Sequence, residues 1–197
     1  MSNIWDERYS QTEYVYGTEP NEFFAKELSL LKPGRLILPC EGEGRNAVFA
    51  AQKGWNVTAF DSSQEGKKKA LKLAEQKQVH IDYLIDDADK IELEPNSVDS
   101  VALIYAHFTP NIRETIHKKI VSRLKPGGTL ILEGFNPNQL TNKSGGPKDI
   151  AMLYTEEMLK SDFSDLKIVQ LNTLQTNLNE GNFHQGEADL IRLIAVK

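Results

Sequence analysis

Apolar residues in this chain fall in short runs separated by longer stretches in which they recur every three or four positions. Phe23, Phe24, Leu28 and Leu31 keep helical spacing, which predicts a helix from Pro20 to Leu31 with Pro20 in its first turn and Lys32-Pro33-Gly34 as its stop. Leu36-Ile37-Leu38 reads as a buried strand, and a glycine-containing turn then opens a helix from about Arg45 to Lys53. Val57 to Phe60 is a second strand, ending at Asp61. Ser62 with Glu65 three residues on has the form of a capping box for a helix running to about Gln78. Ile81–Ile85 and Val98–Tyr105 are the next strands. Thr109 with Pro110 starts a helix whose inner face is Ile112, Ile116, Ile120 and Leu124, and Lys125-Pro126-Gly127-Gly128 ends it before a strand from Thr129 to Phe135. Residues 136–151 are polar and aperiodic, the length of segment that commonly forms a functional lid. A short helix, Glu156 to Asp162, and two strands, Lys167–Leu174 and Asp189–Val196, complete the pattern.

Strands alternating with helices predict a doubly wound α/β fold: a parallel sheet with right-handed crossovers and helices on both faces. The last two strands lack a helix between them, so they should pair as an antiparallel hairpin. With 197 residues, 40% apolar and 26% charged, a single domain over 1–197 is expected, with 1–33 as an N-terminal helical cap and 136–151 as the lid. Cys40 is the lone cysteine, which excludes a disulfide scaffold and a cysteine metal cluster, and the four histidines have no metal-ligand spacing. A net charge of −5 argues against nucleic acid as a partner. The opening residues lack an apolar signal stretch, and the most apolar run, Val101 to Ala106, is too short to span a bilayer. A cytoplasmic protein with no membrane partner is therefore expected, its oligomeric state left open.

In an open sheet of this kind ligands sit beyond the carboxyl ends of the parallel strands. After the first strand comes PCEGEGRNA, residues 39–47, in which Gly42 and Gly44 permit a sharp turn and close backbone approach; a plain strand-to-helix turn reads the same way. Asp61 follows the second strand, 17 residues beyond Gly44, where a carboxylate can accept both hydroxyls of a ribose or cap a helix. Together they favour a nucleoside ligand. Gly42 to Ala47 also matches the dinucleotide fingerprint literally, which keeps an NAD(P)-dependent oxidoreductase as the alternative. Against it stand Glu41, which would repel a pyrophosphate, the short chain and the terminal hairpin. S-adenosylmethionine, carrying an ammonium and a sulfonium, is attracted by such carboxylates. An acid in DDAD, residues 86–89, could accept its adenine amino group.

The order of elements, EGEGRNA after strand one, VTAFD at strand two, LKPGGTLILEGF around strand five and the final hairpin resemble class I S-adenosylmethionine-dependent methyltransferases. Within them the likeness is to the small bacterial type related to tellurite-resistance and thiopurine methyltransferases. WDERYS…YVYGTEPNEF, GGPKD…LYTEEML and EGNFHQG resemble that type too, so the likeness covers nearly the whole chain. It implies a Rossmann-like seven-stranded sheet of order 3-2-1-4-5-7-6 and methyl transfer to a small-molecule acceptor by direct displacement. The chain departs from the class at Leu38, where an acid is common, and at Cys40, where glycine is usual; Glu41 can supply the missing charge.

The resemblance implies that Glu41, Gly42 and Gly44 cradle the methionine part of the cofactor, with Cys40 and Ser62 in the same two turns. Asp61 would hold the ribose, Asp87 and Ala88 the adenine, and Tyr105 and Ala106 the sulfonium side. His107, after strand four, and His184, in the terminal hairpin, are the candidate bases, since imidazole titrates near neutrality; either could instead be a structural histidine. Trp5, Tyr9 and Tyr16 could face the cofactor or acceptor or pack the first helix, and Arg45 could hold an anionic substrate or pair with a nearby acid. Lys67, Lys68 and Lys69 read as a solvated helix face. A non-catalytic binder of S-adenosylmethionine is the third reading.

Overall fold

The computed structural model describes residues 4–197 apart from 91 and 93; the first three residues of the expected N-terminal cap lie outside the described residues. A seven-stranded sheet runs in the order β3-β2-β1-β4-β5-β7-β6. Its strands are β1 (Arg35–Pro39), β2 (Asn56–Asp61), β3 (Asp82–Ile85), β4 (Val98–Ile104), β5 (Leu124–Phe135), β6 (Lys167–Glu180) and β7 (His184–Val196). The first five run parallel, and β7 is antiparallel to both β5 and β6. The helices are α1 (Ile4–Tyr9), α2 (Glu22–Ser29), α3 (Arg45–Gln52), α4 (Gln64–Gln76), α5 (Pro110–Arg123) and α6 (Glu156–Asp162).

Alternation along the central strands divides the core between the two faces. On β4, Val101 and Leu103 join Ile116, Ile120, Leu159 and Phe163 of α5, α6 and the residue after it, whereas Ala102 and Ile104 join Phe24, Leu28, Ala47 and Ala70 of α2, α3 and α4. Strands covered on both faces read as continuous apolar runs, which is why the sequence gives β1 and β4 away.

Five expectations change. Residues 4–9 form a helix that no apolar stripe announced. Asn21 caps α2, so the helix starts two residues after Pro20, and it ends at Ser29. The cap of α4 is Ser63, whose hydroxyl accepts from Gly66 N, rather than Ser62. β5 begins at Leu124, where it pairs with Val98 across a register shift. The hairpin strands extend to Glu180 and back from His184, far beyond the apolar runs, because polar side chains on an edge strand can face water on both sides while its backbone pairs on one.

At the site end, Gly44 is the N-cap of α3 with φ +86°, and a Cβ there would lie 2.5 Å from Ala70 Cβ. Gly54 shares the left-handed backbone (φ +85°) but faces open space. Gly44→Ala should therefore cost about 2–4 kcal/mol, combining backbone strain with overpacking, and Gly54→Ala about 1 kcal/mol from strain alone, compared by urea denaturation.

Candidate functional site

Residues 39–47 build the site's floor. The chain leaves β1 through Cys40, a non-glycine residue with φ +54°, and leaves β4 through Tyr105, also at φ +54°. Such conformations cost about 1–3 kcal/mol each and concentrate at binding sites. Both residues line a cavity of about 740 Å³ at the carboxyl ends of the parallel strands.

Glu41 turns back onto the start of α3. One carboxylate oxygen accepts from Asn46 N and Ala47 N, both at 2.8 Å, and the other faces Asn46 Nδ2 at 3.5 Å. A helix N-terminus is where the pyrophosphate of a dinucleotide would be bound. Here the protein's own carboxylate holds that place. Burial pushes the Glu41 carboxyl up to about 7, against the two backbone N–H donors. Asp61, at the end of β2, accepts from Gly42 N at 3.1 Å and Ser63 N at 2.9 Å, tying the first two turns together; burial raises its carboxyl as well. A carboxylate offers about four acceptor positions, so both acids keep capacity toward the cavity they line.

The N-terminal segment closes this end. Asp6 accepts from Ser63 Oγ at 2.6 Å and Glu65 N at 3.1 Å, adding a carboxylate to the start of α4. Tyr9 then lies against Gly42, where a Cβ would meet its hydroxyl at 2.6 Å, and Trp5 stacks on Tyr9 with ring centres 5.7 Å apart. Buried Glu43 accepts from Val15 N at 2.8 Å and pairs with Lys69 Nζ at 2.7 Å. Lys69 therefore belongs to a tether, whereas Lys68 pairs with surface Glu65.

At the other end, His107 has no nitrogen to spare. Its Nε2 accepts from Phe135 N at 3.0 Å, which places the proton on Nδ1, donated to Met152 O at 2.8 Å. Burial pushes its pKa down to about 4. The expectation of His107 as a candidate base is corrected: it clamps the end of β5 to residue 152. His184 differs. Its Nδ1 donates to Glu180 Oε2 at 3.3 Å, and its Nε2–Cδ2 edge lies beside Gly145, where a Cβ would meet Nε2 at 3.1 Å. Its ring packs against Tyr16 and Tyr105, with centres 4.5 and 4.4 Å apart, and lines the cavity. Burial lowers the His184 pKa while Glu180 opposes that. Burial alone would raise Glu180, but the His184 hydrogen bond and Arg45 outweigh it and hold it down to about 2. Arg45, placed by sequence as an anion holder or the partner of an acid, is paired with Glu180 at 3.0 Å.

The structure thus brings Trp5, Tyr9, Tyr16, Cys40, Glu41, Arg45, Asp61, Ser62, Asp87, Ala88, Tyr105, Ala106, His107 and His184 around one cavity. Gly42 and Gly44 stand behind it, the first under Tyr9 and the second against Ala70. Asp87 is half-buried and paired with Lys90. Of the 136–151 segment, Gln139 and Ser144 are buried and bonded to each other and to Asp189 N and Glu187 O of β7; only Gly146, Pro147, Lys148 and Asp149 line the cavity. Sequence reasoning missed Glu180, Glu43 and Asp6, single acids on polar stretches with no signal of their own, and Arg8, which sits among the N-terminal aromatics. Among the described residues no group of histidine, cysteine or acids could hold a metal ion, and no helix is long and apolar enough to cross a membrane.

Residues 39–128 match the family model of a methyltransferase domain. No curated protein sequence matches the chain. Among solved structures, the chain resembles a protein studied for the conversion of a disulfide bond into a thioacetal group during echinomycin biosynthesis, with TM-score 0.81, 14% identity, and 98% of this chain and 91% of that one covered. It also resembles TehB from Haemophilus influenzae, with TM-score 0.73, 16% identity, 98% of this chain and 65% of that one. A third is the 1,6-didemethyltoxoflavin N1-methyltransferase of Burkholderia thailandensis, with its substrate and S-adenosylhomocysteine bound: TM-score 0.66, 17% identity, 88% of this chain and 76% of that one.

The unfolded chain protonates His107 below about pH 6.5, while the folded protein does so only near 4, so stability falls as pH drops through that window. His107→Gln can keep both hydrogen bonds without titrating. It should reduce the loss of unfolding free energy between pH 7 and pH 5 by about 2 kcal/mol, read from urea midpoints.

Proposed function

We propose that this chain, part of which matches a methyltransferase-domain model, is an S-adenosylmethionine-dependent methyltransferase that transfers the cofactor's methyl group to a small-molecule acceptor by direct displacement. The observation that carries this reading is the lining of the cavity: the carboxylates Glu41 and Asp61 from the ends of β1 and β2 and His184 from the hairpin all border it. The cofactor supplies an activated methyl group; the chain supplies binding, alignment and exclusion of water. Glu41 would hold the methionine ammonium and Asp61 the ribose hydroxyls, with Cys40, Ser62, Asp87 and Ala88 along the adenosine and Tyr105 and Ala106 near the sulfonium.

His184 would take the acceptor's proton. Its Nδ1–H is oriented by Glu180, which leaves the lone pair on Nε2. Arg45 in turn fixes Glu180. Gly146 to Asp149 would close over the acceptor, while residues 136–145 stay docked on β7. The bound small-molecule substrate of the toxoflavin methyltransferase, a relative in fold, supports an acceptor of this size. A soluble cytoplasmic enzyme acting on neither nucleic acid nor membrane fits the net charge of −5.

Thermal shift with S-adenosylmethionine, S-adenosylhomocysteine and NAD in parallel tests the cofactor. Each adenosyl ligand at about 100 times its dissociation constant should stabilise by about 2.7 kcal/mol, roughly 5–10 °C here, and NAD by nothing. A shift with NAD alone would return the oxidoreductase reading. For the base, His184→Ala should lower kcat by about 100-fold or more, with wild-type kcat/KM level through neutral pH and falling only below the ordinary imidazole range, because burial lowers the His184 pKa. A loss under tenfold would mean that the acceptor arrives already ionised.

A further inference from the structure

The cations that meet the cavity are not equivalent. Arg45 is spent on Glu180 at 3.0 Å and on the Tyr16 carbonyl at 3.2 Å. Lys148 is exposed and followed directly by Asp149, which lines the same rim. Arg8 is half-buried, lines the cavity, and among the described residues forms no ion pair. Its one hydrogen bond runs from Nη1 to Tyr16 Oη at 3.0 Å. The guanidinium lies over two rings, 4.8 Å from the centre of Trp5 and 5.2 Å from that of Phe183. A guanidinium has five N–H donors, so the fork that receives a carboxylate with two parallel hydrogen bonds is still open.

This placement contrasts with the other buried cations. Lys69 meets Glu43, Arg113 meets Asp162 and Arg192 meets Glu133. An arginine held against aromatic rings without an acid costs rotamer freedom and desolvation with no ion-pair partner among the described residues, and an anionic ligand would supply that partner. Tyr16 gives the distance scale. Its hydroxyl touches Arg8, and its ring packs on His184 at 4.5 Å, so the arginine and the imidazole ring are separated by about one tyrosine side chain. The rings of Tyr105 and Phe135 also pack against His184.

Resting on the methyltransferase reading, we infer that Arg8 is the anion anchor of the acceptor site. The acceptor is then a flat, largely apolar molecule of about one ring's length, with a carboxylate or similar oxyanion at Arg8 and its methylated atom toward His184. The carboxylates at the cofactor end repel such an anion, which fixes its orientation. Arg8 thus sets specificity, and because Asp6 and Tyr9 of the same short helix rest on α4 and Gly42, the anchor is positioned by the cofactor-binding turns.

The test is calorimetric titration of the S-adenosylhomocysteine-loaded protein with benzoate and the three hydroxybenzoates, each against its matching benzamide. Wild type, Arg8→Gln and Arg8→Lys are compared. The wild type should bind the best carboxylate at least tenfold more tightly than its amide; Arg8→Gln should abolish that ratio and Arg8→Lys should keep part of it. S-adenosylhomocysteine affinity should be the same in all three, which also shows that the variants fold. Failure of S-adenosylhomocysteine to bind the wild type would strike the methyltransferase reading itself. Binding of that ligand with no preference for carboxylates, or a preference that survives in Arg8→Gln, would overturn the anchor alone.

Discussion

The carboxylate of Glu41 at the start of α3 is the interaction on which the site is organised. A strand-to-helix turn of this kind presents unsatisfied N–H groups and the positive end of a helix dipole, and it ordinarily binds an anion from outside. Here two of those N–H groups are satisfied from within at 2.8 Å. A pyrophosphate is thereby excluded from the place a dinucleotide needs, and a negative charge is left facing the cavity. The glycine spacing that allows the turn is the same in both cases, so the identity of one residue between the strand and the first glycine decides which class of cofactor the turn suits.

Much of the remaining polar structure protects and positions that charge. Asp61 stitches the neighbouring turn to it through Gly42 N, and Glu43 and Asp6 bind the N-terminal segment down on α4. The network then continues along the hairpin: Asn46 to Asn21, Asn21 to Glu133 and Glu180, Glu180 to Arg45 and His184. Asn21 thus links the α3 turn to the tip of the β6–β7 hairpin through side-chain hydrogen bonds across the sheet. Acids gather at the ends of β1 and β2. Arg45 is paired with Glu180, whereas Arg8 has no ion pair among the described residues.

The central strands and helices were legible because they depend on burial: strands covered on both faces must be apolar. The sheet order followed from the family resemblance. What escaped depends on polar contacts between distant segments. The α1 helix carries no apolar stripe, and its place is set by Asp6 on α4. The extra length of β6 and β7 consists of polar residues whose pairing comes from the backbone. At the site, glycines and acids at strand ends could be located because topology fixes where strand ends meet. The roles of the two histidines could not, since both follow strand ends and differ in what their ring nitrogens meet: Met152 O and Phe135 N for His107, the Glu180 carboxylate for His184.

The central claim, that a buried carboxylate selects a cationic cofactor, is tested most directly by calorimetric titration of S-adenosylhomocysteine into the wild type and Glu41→Gln at pH 6.5, in buffers of different ionisation enthalpy. With the carboxyl at about 7 in the free protein, a bound ammonium should drive it to ionise, so wild-type binding should release a proton, seen as buffer-dependent heat. Glu41→Gln should bind at least tenfold more weakly and release none. A variant that binds as tightly as the wild type, or wild-type binding with no proton released, would contradict the account.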